Sequence, residues 1–215
     1  MKERVFFACA VLLATHTGWS ATILERTIEF TITGSAMTEH QILVVAMDEP
    51  GDLESWAEYP VWLNEGIELE SCSAEVLDSN GRVVERVKKK DFREVTSVGF
   101  GLYSSAYALV IPLPMLHVGQ RVRIELVRVR RPYFPAHSVR LTSASDQQKL
   151  RVTVHGDKTL RWTLQNAEDI VSVAEGPEGI ELTGHDLPAD HRRAFAADAD
   201  AARPTLRFAW GSDAT

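Results

Sequence analysis

Apolar and polar residues alternate along most of this chain, with a period of two residues rather than the longer period of a helix. In the stretch RTIEFTIT, for example, Ile28, Phe30 and Ile32 alternate with threonine and glutamate. Successive side chains of a strand point to opposite faces, so this pattern is typical of strands with one buried face. The chain is therefore predicted to be all-β, an antiparallel β-sandwich of roughly ten or more strands with little helix.

Two segments of the first half add detail. IELESCSAEVLDSNGRVVERV predicts a hairpin, because Asn80 and Gly81 tolerate the positive φ that a tight turn needs. DEPGDLESWAEYPVWLNEG, residues 48–66, is predicted to be a long loop, which either folds back to cap a sheet edge or forms a binding lip. Its aromatic side chains are candidate binding residues for a carbohydrate or a peptide: Trp56, Tyr59 and Trp62.

The second half is predicted to contain further strands. Gly119 makes the turn before RVRIELVRVR, where the apolar positions change phase near Leu126–Val127 and so predict a β-bulge or a sharp bend. The Gly-Asp pair at 156–157 predicts a hairpin between KLRVTV and LRWTLQ, and TLRFAW predicts a last strand. The pattern weakens over residues 177–215, where the segment near 189–202 is predicted to be either one short helix or a mobile segment.

The first twenty residues have the layout of a secretory signal peptide. Lys2 and Arg4 form a basic head, residues 5–14 are an apolar run, and small residues follow, with a cleavage site after Ser20. The apolar run would rise about 15 Å as a helix, which is too short to span a bilayer permanently. We therefore expect an exported protein, periplasmic or extracellular, with residues 21–215 as a single domain.

Cys72 is the single cysteine of the expected mature chain, because Cys9 lies in the apolar run. It then has no partner for an internal disulfide and no second thiolate for a metal site. Cys72 shares the apolar face of its predicted strand with Ala74 and Val76, so we predict that it is a small packing residue. A reactive cysteine needs a cationic neighbour or a helix N-terminus, and a nearby base; the local sequence supplies neither.

The formal net charge of −7 argues against general binding of nucleic acid or anionic membrane. Two basic stretches, residues 82–93 and 121–131, run against this balance. They are either a surface for an acidic polymer or the solvated outer faces of strands, and the alternation of arginine with valine and isoleucine in the second stretch favours the strand interpretation. Arg121 and Arg123 are retained as candidate binding residues.

No motif for hydrolytic chemistry is present. HExxH, GxSxG and paired HxH spacings do not occur, and the histidines are scattered. A group that is close in sequence is interpreted as polar surface rather than a metal site: His185, Asp186, Asp190 and His191. We predict no catalytic residues, no metal and no cofactor, and thus a protein that is not an enzyme.

Residues from about 40 to 210 resemble a known family at four places. The first is the turn Asp78–Gly81 between two strands, followed by Arg-Val-Val. The second is a proline, an apolar residue two positions on and a glycine five positions on, ahead of a strand: Pro114, Leu116 and Gly119 before Val122 and Ile124. The third is the connection YFPAHSVRLTSASDQQKLRVTV, and the fourth is a tryptophan with an asparagine four positions on: Trp162 and Asn166.

These places are similar to the N-terminal domain of unknown function that precedes transglutaminase-like domains in exported bacterial proteins. The chain departs from the family at Val118, where a proline is frequent, and at Ile124, where an aromatic residue is frequent. Family members usually continue into a papain-like domain with a Cys-His-Asp triad, and no such domain occurs within these 215 residues. Whether the chain is complete or a piece of a longer protein stays open.

The resemblance implies a non-catalytic accessory or interaction domain that acts in the bacterial cell envelope. Its partner would be a transglutaminase-like domain or another envelope protein. The alternative is a carbohydrate- or peptide-binding β-sandwich that uses the aromatic loop. That alternative requires Trp56, Tyr59 and Trp62 to be exposed together.

Overall fold

The computed structural model describes residues 21–96, 107–113, 115–156, 160–190 and 202–211. Its strands are β1 (Thr22–Thr33), β2 (Ala36–Ala46), β3 (Glu58–Leu63), β4 (Ile67–Leu77), β5 (Val83–Val87), β6 (Arg93–Thr96), β7 (Tyr107–Pro112), β8 (Arg121–Arg130), β9 (Ala136–Arg140), β10 (Gln147–His155), β11 (Arg161–Gln165), β12 (Ser172–Gly176), β13 (Gly179–Leu187) and β14 (Thr205–Ala209). The described helical segments are α1 (Pro50–Ser55) and a 3-10 turn (Lys89–Asp91), and neither could cross a membrane. The predicted all-β class is confirmed.

The strands form one large sheet and two small ones. The large sheet has the order β12-β13-β10-β1-β2-β8-β4-β5. The two small sheets are named here by their central strands: the β7 sheet (β3-β7-β6) and the β14 sheet (β11-β14-β9). The pair β1–β10 is parallel, and the other strand pairs in the described parts of the chain are antiparallel.

Each small sheet covers part of the same face of the large sheet, and each encloses its own core. Under the β7 sheet, Val122 and Ile124 of the large sheet pack with Ile111. Under the β14 sheet, Val152 packs with Leu206. These side chains are at most 1% exposed, and each such burial stabilises the fold by about 1.5–3 kcal/mol.

Between the two cores, the covered face of the large sheet carries polar side chains. Their neighbours on the adjacent strands are apolar: Arg26 lies between Leu150 and Leu43, and Gln41 lies between Ile28 and Leu126. We call this set the polar seam; its members are Gln147, Arg26, Gln41, Glu39, Arg128 and Arg130. The seam lies where the covering layer changes from one small sheet to the other.

The predicted hairpin turn is confirmed. Gly81 has a φ of +81°, and the amide of Gly81 donates to the carbonyl of Asp78 at 3.0 Å. The predicted irregularity near Leu126–Val127 is also found, but the extra residue is on the neighbouring strand: Glu70 bulges from β4 opposite Val127 and Arg128. Strand β8 itself keeps an unbroken register with β2.

Three predictions of local structure were wrong or incomplete. The segment 48–66 is not a loop, since it contains α1 and β3. β10 and β11 do not pair across positions 156–157; β10 lies between β1 and β13, and β11 pairs with β14. The weakly patterned tail contains β13, a strand inside the large sheet. The predicted signal peptide, and most of the segment 189–202, lie outside the described residues.

Candidate functional site

A partly enclosed cavity of about 280 Å³ lies over the polar seam, where the β7 sheet gives way to the β14 sheet. We call it the seam pocket. Its floor is formed by Arg26 and Gln41 with Ile23 and Leu43, all from β1 and β2. One wall carries Trp56 and Tyr59, and the other is the connection from Arg140 to Ser145.

Local hydrogen bonds fix both walls. The Asp52 carboxylate accepts from the main-chain amides of Asp48 and Glu49 at 2.9 and 2.8 Å, which anchors the start of α1 and directs Trp56 into the core. On the other side, the Ser145 amide donates to the Ser143 hydroxyl at 3.1 Å. Both walls are therefore held by hydrogen bonds from main-chain amides to short side chains.

Glu39 is the acidic member of the seam and is 3% exposed. Arg128 Nη2 donates to one carboxylate oxygen, and Arg130 Nε donates to the other at 2.6 Å. Burial raises the pKa of Glu39, but the two arginines outweigh it and hold that pKa below its ordinary value. Arg128 Nε is buried and has no hydrogen-bond partner among the described residues.

Arg26 is the half-buried cation of the pocket floor. Among the described residues its side chain makes one hydrogen bond, from Nη1 to the carbonyl of Arg140 at 3.1 Å. Burial lowers its pKa below the usual value, whereas the nearby Tyr59 and Glu39 act in the opposite direction. Burial also raises the pKa of Tyr59. At Arg26 the effect of burial is therefore larger than that of these two neighbours.

Gln41 lies beside Arg26 on the pocket floor and is 9% exposed. Within the part of the chain that the structure describes, no hydrogen bond to its side-chain amide is found, and Gln41 lines the cavity. His137, on β9 of the β14 sheet, lies near Arg130 of the seam, and its ring lies 5.4 Å from that of Phe30. Burial, aided by Arg130, lowers the pKa of His137 to about 4, so this histidine is neutral at pH 7.

The three aromatic candidates do not share one exposed rim. Trp56 is 6% exposed and stacks on Tyr59 with the ring centroids 6.0 Å apart. Trp62 is 57% exposed on the outer side of the β7 sheet. Two of the three candidates therefore line the seam pocket, and the third stands apart from it.

The two arginine candidates lie on the uncovered face of the large sheet. Arg123 is paired with Glu125 at 2.8 Å and with Glu75 at 3.7 Å, so its charge is largely compensated. Arg121 makes no ion pair with any described residue. The prediction that the arginines of residues 121–131 lie on a solvated outer face is wrong for Arg128 and Arg130, because these two side chains face the seam.

Cys72 packs against the core under the β7 sheet, on the same face as Ala74 and Val76, as expected. It is half-buried and not part of a disulfide. Burial raises the pKa of its thiol to about 11, against the opposing influence of Arg128 and Lys89. The thiol is therefore protonated at neutral pH.

An exposed aromatic pair, which the sequence analysis did not single out, lies in the loop between β8 and β9. Tyr133 is 94% exposed and Phe134 is 72% exposed, and their rings meet edge to face at 5.1 Å. We call this pair the aromatic tip. Its base is fixed on both sides by main-chain hydrogen bonds, from Arg131 to Gly66 at 2.8 Å and from Trp210 to Pro135 at 2.9 Å.

A larger but shallower depression of about 640 Å³ runs along the β14 sheet. Its lining includes Arg161, Arg207 and Ser138, whose side chains are exposed. Exposed arginines are already hydrated, so pairing them with a ligand would stabilise the protein less than pairing the half-buried Arg26 of the seam pocket.

The sequence contains a pattern that could have predicted the seam. Glu39 and Gln41 are in phase with Met37, Leu43 and Val45 along β2, so a charged and an amide side chain occupy the apolar face of an otherwise regular strand. A polar residue in an apolar phase is unusual enough to mark a special site. The sequence of a single strand could not predict that β1, β2 and β8 lie side by side and bring their polar residues together.

Comparison with known proteins gives a family and a fold. Residues 36–190 match the model of a family described as a domain of unknown function with a solved structure, DUF3857. No curated protein matches the chain.

Among solved structures, a "putative protease" from Parabacteroides distasonis has a TM-score of 0.75 at 17% sequence identity. The match covers 89% of this chain but 40% of that one, so this chain spans less than half of that protein's length. An M1 zinc metallopeptidase from Deinococcus radiodurans has a TM-score of 0.43 at 12% identity, covering 88% of this chain and 42% of that one. The first value shows a common fold, and the second is too low to do so.

Proposed function

The chain belongs to the DUF3857 family, a domain of unknown function, and we propose that it is a non-catalytic interaction domain of an exported protein. It acts in the bacterial cell envelope, and its partner is a transglutaminase-like domain or another envelope protein. The observation that carries this proposal is the aromatic tip.

The aromatic tip has the properties of a contact site. Two large aromatic side chains are held in water at 94% and 72% exposure, next to each other and on a loop bounded by Pro132 and Pro135. Proline restricts the loop before any partner arrives, so less conformational entropy is lost on binding. Tyrosine and other large aromatic residues are also over-represented among the residues that dominate binding energy at protein interfaces.

The comparison of folds supports a domain that works beside another. The fold of this chain recurs as 40% of a longer protein in Parabacteroides distasonis. In that protein the matched fold is therefore followed or preceded by further chain. We propose that this domain likewise works next to another domain, in the same chain or in a second one, and this would make contact its role.

The environment of Cys72 supports a role other than thiol catalysis. Acyl transfer through cysteine requires a thiolate, a histidine base and a group that orients the histidine. Burial raises the Cys72 pKa to about 11, which is the opposite of what a nucleophile needs.

Site-specific photo-crosslinking tests the proposal in the exported full-length protein. A photoreactive amino acid replaces Tyr133 in one variant and Val84 in the control; Val84 is 55% exposed on β5 and belongs to no proposed contact site. We expect a discrete adduct with an envelope protein from position 133, identified by mass spectrometry, and none from position 84. The double substitution Tyr133→Ser with Phe134→Ser should abolish co-purification of that protein while leaving the melting temperature unchanged.

Two results would contradict the proposal. The first is the same set of adducts from positions 133 and 84, because non-specific exposure would then explain the labelling. The second is incorporation of a primary amine into a glutamine peptide by the purified protein, with loss of that activity in Cys72→Ala.

A further inference from the structure

We propose that the seam pocket binds a small carboxylate ligand, which Arg26 receives through its guanidinium group and Gln41 contacts through its amide. This site is separate from the aromatic tip, and the proposal does not depend on the interaction function. It follows from the charge balance of the seam, from an unpartnered buried amide and from the size of the cavity.

The charge balance of the polar seam is positive. Three of its members are guanidinium groups, and one, Glu39, is a carboxylate. Glu39 already accepts hydrogen bonds from Arg128 and Arg130 on its two oxygens. Arg26 is left with the carbonyl of Arg140, a neutral acceptor. A cation removed from bulk water is costly unless a counter-charge compensates it, so an anion in the pocket would be stabilised.

The unpartnered amide of Gln41 is the second observation. Gln41 is 9% exposed as a whole residue, and it lines the cavity next to Arg26. A primary amide offers two donors and an acceptor, and buried amides nearly always find partners. A ligand that fills the cavity would provide a partner for Gln41 at the same time as for Arg26. The tyrosine hydroxyl at position 59 and the hydroxyl at position 143 line the same space.

The size of the cavity limits the ligand. A volume of about 280 Å³ corresponds to roughly nine water molecules and lies at the lower end of known ligand pockets. The apolar part of the lining comes from Ile23, Leu43 and Trp56. A ligand that satisfies both parts has one carboxylate and a short apolar body, as an N-acylated amino acid does.

A carboxylate fits this pocket better than a phosphate. A planar guanidinium fork matches a carboxylate with two parallel hydrogen bonds. A phosphate carries more acceptor oxygens and more charge, and phosphate sites usually combine several cations or main-chain amides. The pocket lining contains two arginines, of which Arg140 is exposed to solvent. Arg26 is therefore the half-buried cation, and its neighbour on the floor is the neutral amide of Gln41.

Titration with N-acetyl-leucine, followed by calorimetry and by two-dimensional NMR of the full chain, tests the proposal. We expect saturable binding in about the millimolar range, since one charged pair and a small apolar contact are involved. N-acetyl-leucinamide has nearly the same shape without the charge, and we expect it to bind at least roughly tenfold more weakly. Inorganic phosphate should not compete.

Two variants and a matched control assign the site. Arg26→Gln should weaken the binding of N-acetyl-leucine roughly tenfold or more, and Arg26→Lys should restore part of it because the charge returns without the fork. Arg161→Gln removes an arginine from the exposed surface of the β14 sheet and should leave binding unchanged. Gln41→Leu, of similar volume, should also weaken binding. Gln41→Leu should not lower the melting temperature of the free protein, because the amide makes no hydrogen bond to a described residue there.

The outcomes are decisive in each direction. Absence of saturable binding to the wild-type protein, equal binding of acid and amide, or equal binding by Arg26→Gln and Arg161→Gln overturns the proposal. Tighter binding of phosphate than of N-acetyl-leucine overturns the choice of a carboxylate. If Arg26→Gln fails to fold, the proposal depends on Gln41→Leu, and unchanged binding by that variant overturns it. The double variant of the aromatic tip should bind N-acetyl-leucine normally, which separates this test from that of the proposed function.

Discussion

Replacing Glu39 by glutamine should destabilise the protein far more than the same replacement at Glu125 in the same sheet. Glu39 is 3% exposed and faces Arg128 and Arg130, whose side chains are 13% and 19% exposed. Removing the acid leaves two largely buried guanidinium groups without a counter-charge. Breaking a buried pair from one side costs about 3–5 kcal/mol, and the partial exposure of the arginines favours the lower end, about 3 kcal/mol.

Glu125 is the matched control. Its side chain is 34% exposed on the uncovered face of the large sheet, where it pairs with His40 and Arg123. Exposed pairs contribute about 0–1 kcal/mol, so Glu125→Gln should have a small effect. Urea denaturation monitored by fluorescence gives both free energies of unfolding, and thermal melts should show Glu39→Gln about 6–12 °C below the wild type.

The pH dependence provides a second check. The pKa of Glu39 is lowered in the folded protein, so its contribution is complete above the ordinary pKa of about 4.3 and is lost as the pH falls through the lower, folded value. The difference in unfolding free energy between wild type and Glu39→Gln should therefore be constant from pH 7 to about 5 and shrink below about pH 4. A Glu39→Gln variant within 1 kcal/mol of Glu125→Gln at pH 7 would refute the reasoning, and so would a difference that grows in acid.

Three further predictions concern the start of the chain, the thiol and the tryptophans. N-terminal sequencing of the exported protein should begin at Ala21, and retention of the initiating methionine would refute export by cleavage. Cys72→Ala should fold with a loss of about 1 kcal/mol, and the native thiol should react slowly at pH 7 because burial raises its pKa to about 11; rapid labelling would contradict this. Trp56→Ala should cost about 3–5 kcal/mol in a urea melt and Trp62→Ala about 0.5 or less, because 6% and 57% of these side chains are exposed; equal effects would contradict the assignment.

The sequence by itself determined the local features. The alternation of β1 and the turn at Asn80 and Gly81 depend on steric preferences of neighbouring residues, which any short segment expresses on its own. The same reasoning correctly placed Cys72 on an apolar strand face. It also indicated a disturbance near Val127, although not which strand would carry the extra residue.

The tertiary structure alone decided which strands pair and which polar residues become buried. Gly156 follows β10, which pairs with β1 and β13, because pairing is decided by packing and hydrogen bonding between distant segments rather than by the turn that follows. Alternation divides β8 into two faces, and the charge of its arginines predicted that they face water. Arg128 and Arg130 instead face inward, because Glu39 of the adjacent strand neutralises part of their charge where the covering sheet changes. That juxtaposition of β1, β2 and β8 creates the seam pocket, and no segment contains it by itself.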